Sequence, residues 1–184
     1  MYSEEMLSEL RDRVLSRMSE RRFTHTAEVE KMAMRIGQIY ASDKLDILRA
    51  AALLHDVTKE LTTEEHLEIL RDNGEEITTL DRLSPKTLHA RSAVWTIKSE
   101  FLDFADDEVL SCVRWHTTGR ANMTLCEKII YLADYIDMSR RFPDCVALRE
   151  HFWNKQPDTL TDEERQIHLN ETLVLSFEIG RAHV

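Results

Sequence analysis

Residues Ala50-Ala51-Ala52-Leu53-Leu54 are five small or apolar side chains in succession, followed at once by His55-Asp56 and, three residues further on, by Lys59. An unbroken run of this kind predicts a buried helix. The imidazole and carboxylate at its end are expensive to desolvate unless something pairs with them, and a bound cation would do that. A His-Asp pair is also what an ordinary helix end can look like, so the neighbouring sequence has to decide.

The rest of the chain is written in the same helical period. It has only four Gly and three Pro in 184 residues and no alternating β-branched runs, which predicts an all-α fold. Ser3 caps a first helix carrying Met6, Leu7, Leu10, Val14 and Met18. A second places Val29, Met32, Ala33, Ile36 and Tyr40 on one side, with His25 one turn ahead and therefore facing inward or toward a cleft. Asp43 is the expected cap of the buried third helix. Thr62 with Glu65 and Thr124 with Glu127 are capping boxes, Asp106 is a cap, and Asp72-Asn73-Gly74 is a stop. Ser84-Pro85 opens a helix with His89 about one turn in, and His116 ends an apolar helix as His55 does. Phe142-Pro143 interrupts the chain before a short helix over 146–152, and Thr161 starts the last helix, about 161–180. This is an irregular bundle of about eight helices with short, mostly antiparallel connections.

Length and charge narrow the role. A chain of 184 residues supports one substantial core, so residues 1–184 are taken as a single domain. A net charge of -10 disfavours nonspecific nucleic-acid binding, while leaving room for a local cationic pocket and a small anion. The three cysteines, Cys112, Cys126 and Cys145, form no Cys-x-x-Cys pair and read as free thiols in a reducing cytoplasm. No segment has the length to span a bilayer, and the acidic N-terminus does not resemble a signal peptide. No repeat or low-complexity linker is present, and a homodimer is compatible with the sequence.

Six residues sit awkwardly for a plain core: His25, His55, Asp56, His89, His116 and Asp134. Four imidazoles and two carboxylates suit iron, manganese, cobalt, nickel or zinc, and the lack of thiolates argues against a closed structural zinc site. One ion would use about four of them, leaving the others for a second ion or for substrate. Asp134, one turn from Ile130 and Met138, needs a partner at that depth; Asp137 shares its face as a competitor. His66, His151, His168 and His183 are expected in polar or terminal settings, with no role at a metal.

His25, His55-Asp56 and Asp134, in that order, resemble the H…HD…D signature of the HD-domain metal-dependent phosphohydrolases. Longer stretches, Arg22-Phe23-Thr24-His25-Thr26, His55-Asp56-Val57-Thr58-Lys59, His116-Thr117-Thr118-Gly119-Arg120 and the run from Glu127 to Ile136, are similar to the YqeK family of bacterial HD proteins, from about Arg21 to Arg149. The resemblance implies a symmetrical bis(5'-nucleosyl)-tetraphosphatase that hydrolyses diadenosine tetraphosphate to two ADP, with one or two ions of iron, or manganese, cobalt or nickel in its place. It implies His25, His55, Asp56 and Asp134 as metal ligands, a metal-site core over about 21–149, and Lys59, His89, His116, Thr117 and Arg140 against the nucleoside diphosphate. Asp56, Lys59, His89 and His116 are the candidate catalytic groups, with acid and base roles open among Asp56 and the two histidines; Arg120 is a further candidate cation.

The chain departs from the family in three places. Asp137-Met138 replaces the usual Glu-Pro, Arg91 stands where a small uncharged residue is common, and Gly180-Arg181-Ala182-His183-Val184 resembles the start of a tail that in relatives helps enclose the nucleotide. These departures bear on substrate grip more than on metal. The alternative readings are an HD phosphohydrolase for a deoxynucleotide or guanosine polyphosphate, and a nucleotide-binding sensor with little turnover.

Overall fold

The computed structural model describes residues 1–182, with side chains through residue 179. Among the described residues there are ten α-helices and no strand. In order they are α1 (Glu4–Leu15), α2 (Glu20–Tyr40), α3 (Leu45–Leu54), α4 (Thr63–Asp72) and α5 (Thr79–Leu83). The second half holds α6 (Leu88–Glu100), α7 (Asp107–Trp115), α8 (Leu125–Ile136), α9 (Pro143–Asn154) and α10 (Asp162–Ala182).

The apolar run lies where its composition requires. Leu48 and every residue from Ala50 to Leu54 are fully buried in α3, which is enclosed by α1, α2, α7 and α8. Gly37 lets α2 come close: a Cβ there would stand 2.5 Å from Leu48 Cδ1. The nearly buried Glu30 of α2 accepts from Arg11 of α1 and from Arg49 of α3, so three helices are pinned through one carboxylate. The outer helices are set by their caps. Thr62 and Thr124 form the reciprocal boxes with Glu65 and Glu127, and Ser3 and Asp106 each accept a first-turn amide.

Several expectations are corrected. Asp43 does not cap α3; it lies in a 3-10 turn, Ser42–Lys44, that delays the helix start to Leu45. Ser84-Pro85 likewise opens a 3-10 turn, so α6 begins at Leu88 and His89 is its second residue. Helix α9 runs longer than 146–152, because Pro143 is its first residue rather than a breaker. Helix α5 was not anticipated; its box uses Thr78 with Asp81, whose shorter side chain still reaches the Thr78 amide. His66 and His168 are buried, not in polar settings: His66 Nδ1 meets Ser92 Oγ at 2.8 Å and His168 Nε2 meets the Phe152 carbonyl at 3.0 Å. His183 and the side chains of the 180–184 tail lie outside the described residues.

Candidate metal centre

The ends of α3 and α7 and the start of α6 converge on one buried cluster. His55 follows the last residue of α3, and its Nδ1 stands 2.7 Å from the Ala52 carbonyl. His116 follows α7 in the same relation to Val113, at 2.7 Å, and His89 repeats it with Lys86, at 2.8 Å. A carbonyl only accepts, so each Nδ1 carries a proton, and Nε2 is the nitrogen left to meet a cation. The backbone thus sets the tautomer of three imidazoles.

Asp56 lies between them with its oxygens facing opposite ways. Its Oδ2 is 3.5 Å from His55 Nε2, 3.8 Å from His25 Nε2 and 2.8 Å from Arg22 Nη1. Its Oδ1 is 3.3 Å from His89 Nε2, 3.7 Å from His116 Nε2 and 3.9 Å from Lys59 Nζ. Burial opposes the charge, yet the His55 and His116 imidazoles and the Lys59 ammonium hold this carboxyl well below the usual range. Burial and its cationic neighbours Arg22 and Arg140 lower Lys59 itself, against the pull of Asp56 and Asp134.

Asp134, on α8, brings Oδ1 to 3.0 Å from His25 Nε2 and 3.9 Å from His55 Nε2. Arg140 Nη2 donates to the same oxygen at 2.5 Å. Asp134 is held well below the carboxylate range despite burial, through Arg140 and His25. Behind His25, Asp137 Oδ2 is 3.3 Å from Nδ1 and Ser139 Oγ is 3.2 Å from the same atom. Burial pushes the His25 pKa down, but the Asp134 and Asp137 carboxylates prevail and raise it to about 9. His89 goes the other way: burial and the adjacent His116 lower it to about 2.

Two overlapping groups, His25 with His55 and Asp134, and His55 with Asp56 and His116, place one ligand atom from each residue within 4.8 Å of the others. The donor chemistry fits a cation. His55 Nε2 is buried without a hydrogen-bond partner. His89 Nε2 and His116 Nε2 face each other at 3.0 Å, and the Thr117 hydroxyl, 3.1 and 2.9 Å away, can donate to only one of them. The Lys59 ammonium, 3.1 Å from His89 Nε2, meets one of these lone pairs, and a cation among the donors would meet the others.

All six sequence candidates therefore meet. Of the cations, Lys59 and Arg140 line a cavity of about 960 Å³ over the cluster, together with His116 and Thr117. The same cavity is lined by Tyr131, Tyr135, Phe142 and Phe177, with the Tyr131 and Phe177 rings 5.0 Å apart. Gly119, at φ +62°, fits closely against this wall; a Cβ there would lie 2.7 Å from Phe177 Cζ. Arg120 is instead bound to Glu127 at 2.8 Å and does not line the cavity. Arg91 is held away in ion pairs with Glu75 and Asp81. Arg22 and Ser139 were not singled out from sequence; Arg22 sits one turn before His25, a spacing that puts both on one helix face.

Helix order and a buried His/Asp cluster at helix ends define an HD-type protein, and the HD domain family profile matches residues 22–139. Relatives named Bis(5'-nucleosyl)-tetraphosphatase, symmetrical, occur in Halalkalibacterium halodurans, 35% identical over 72% of this chain and 69% of that protein, and in Bacillus subtilis, 33% identical over 74% and 72%. A crystal structure titled as a predicted HD superfamily hydrolase involved in NAD metabolism, from Clostridium acetobutylicum, superimposes with a TM-score of 0.81 at 32% identity, covering 100% of this chain and 88% of that one. The chain belongs to the HD-domain family and, within it, to the YqeK family.

Proposed function

We propose that this protein is a metal-dependent phosphohydrolase that splits diadenosine tetraphosphate symmetrically into two ADP. The observation that carries the reading is the convergence of imidazole Nε2 lone pairs and two carboxylates beneath a cavity lined by cations and aromatic rings. The similarity to proteins named as symmetrical tetraphosphatases supplies the substrate.

His25, His55, Asp56 and Asp134 would hold one ion, and Asp56 with His89 and His116 a second, the two oxygens of Asp56 reaching toward both sets. Iron is the metal we assign, and manganese, cobalt or nickel suit the same donors. When bound, such a cation lowers the pKa of water and polarises a phosphoryl oxygen.

The remaining work falls to the chain's own groups. Water adds its oxygen to one inner phosphorus, the bond from that phosphorus to the central bridging oxygen breaks, the bridging oxygen leaves on the second ADP, and the two protons of the water pass to solvent as both diphosphates ionise. Lys59 and Arg140, at the cavity wall, stabilise charge gathering on the departing diphosphate. His89, neutral at physiological pH with its proton tied to the Lys86 carbonyl, acts as a lone-pair donor and not as an acid. Tyr131, Tyr135 and Phe177 offer the apolar surface on which a nucleobase packs. We place the protein in the cytoplasm, with a small-molecule dinucleotide as its partner; among the described residues no helix is long and apolar enough to cross a membrane.

The test is anaerobic purification with elemental analysis, joined to chromatographic analysis of the products. Two ADP per substrate, from protein containing iron, is the expected result. AMP with ATP, or nucleotide binding without turnover, would overturn the reading.

A further inference from the structure

A substrate with two equal ends can approach the cluster from two sides. A second cavity of about 870 Å³ shares Arg140, Phe142 and Pro143 with the first. It reaches the cluster from His25, whereas the first reaches it from His116. Four guanidinium groups line it: Arg21, Arg22, Arg140 and Arg141. In a chain of net charge -10, this concentration of cations calls for a cause.

Balancing the cluster explains only half of them. Arg22 is paired with Asp56 and Arg140 with Asp134. Arg21 and Arg141 are exposed, and no ion pair to either is found among the described residues. Glu60, the carboxylate of this wall, is bound by the Ser19 amide at 2.7 Å and hydroxyl at 2.6 Å. Phe142, 69% exposed, stands on the rim common to both cavities. Unpaired guanidiniums beside an exposed ring match a phosphate chain ending in a nucleobase.

We infer that this cleft holds the second nucleoside diphosphate half of the dinucleoside tetraphosphate. Its phosphates lie against Arg21 and Arg141 and its base near Phe142, while the first half occupies the other cavity. The molecule then crosses the cluster with its central P–O–P bridge over the ligands, which is why the cut is symmetrical. This assignment rests on the tetraphosphatase reading.

The test uses the metal-loaded full chain and two ligands: ADP, and a diadenosine tetraphosphate whose central bridging oxygen is replaced by methylene so that it binds without turnover. Arg21→Ala/Arg141→Ala is expected to weaken the methylene analogue by about tenfold or more, because two charge-assisted contacts are lost. The strongest ADP site is expected to stay within about twofold, since the first cavity is untouched. Both residues are exposed, and an unchanged thermal midpoint shows that folding is intact. An analogue affinity that does not move, or ADP weakened as much as the analogue, would overturn the assignment. A wild-type protein that binds the analogue but cleaves none of the oxygen-bridged compound would refute the tetraphosphatase reading alone, leaving the two affinities to decide the cleft.

Discussion

Metal uptake by the metal-free protein is expected to expel a proton, and the proton should come from His25. The ring lies between Asp134, 3.0 Å from Nε2, and Asp137, 3.3 Å from Nδ1, and its pKa is raised to about 9. At pH 7 both nitrogens are therefore protonated. A cation needs the Nε2 lone pair, while the Nδ1 proton can remain against Asp137. Two pH units below the pKa, the competition costs about 100-fold in apparent affinity, or about 2.7 kcal/mol. Asp56 and Asp134 are already ionised and His89 is already neutral, so these three add nothing to the count. Calorimetric titration with Mn(II) in buffers of different ionisation enthalpy should report about one proton released, with affinity rising about tenfold from pH 7 to pH 8. Asp137→Asn, which removes one of the two anions, should lower both numbers. An affinity independent of pH over that interval, with no proton released, would refute the account of His25.

Four further outcomes follow from the same geometry. Asp56→Ala is expected to abolish hydrolysis and leave metal content near background by elemental analysis, since both facing sets lose their shared carboxylate. Lys59→Ala should retain near-normal metal while turnover falls by about tenfold or more. Gly119→Ala forces a side chain onto a φ of +62° and against Phe177, so its thermal midpoint should drop by the equivalent of about 1–3 kcal/mol, with weaker ADP binding in the same sample. In the metal-free protein, the raised pKa of His25 stabilises the fold fully below its unfolded value of about 6.5 and is lost as pH rises through about 9; denaturant titrations should show this contribution, about 3 kcal/mol, disappearing between those limits.

The parts of this protein that could be read from sequence were those written in local code. Thr62 and Thr124 announce their helices because box and cap lie within one turn, and the Ala50–Leu54 run announces burial by having no polar face. Helix α5 escaped because Asp81 stands where Glu is the familiar partner and the helix has only five residues. The six metal-site candidates were legible as residues that a plain core would not choose. Their arrangement was not: nothing local says that the two Asp56 oxygens face different histidines. Asp137, visible only as a rival of Asp134 on one helix face, proves to stand on the far side of His25. His66 was misjudged because its partner, Ser92, is twenty-six positions away.

The carbonyl held by each of His55, His89 and His116 limits how this centre can change. An Asp or Glu at any of these positions would turn an acceptor toward the Ala52, Lys86 or Val113 oxygen, with no proton to share. The side chains of His25, Asp56 and Asp134, the other proposed ligands, meet other side chains instead, so retuning of a bound metal would be easier there.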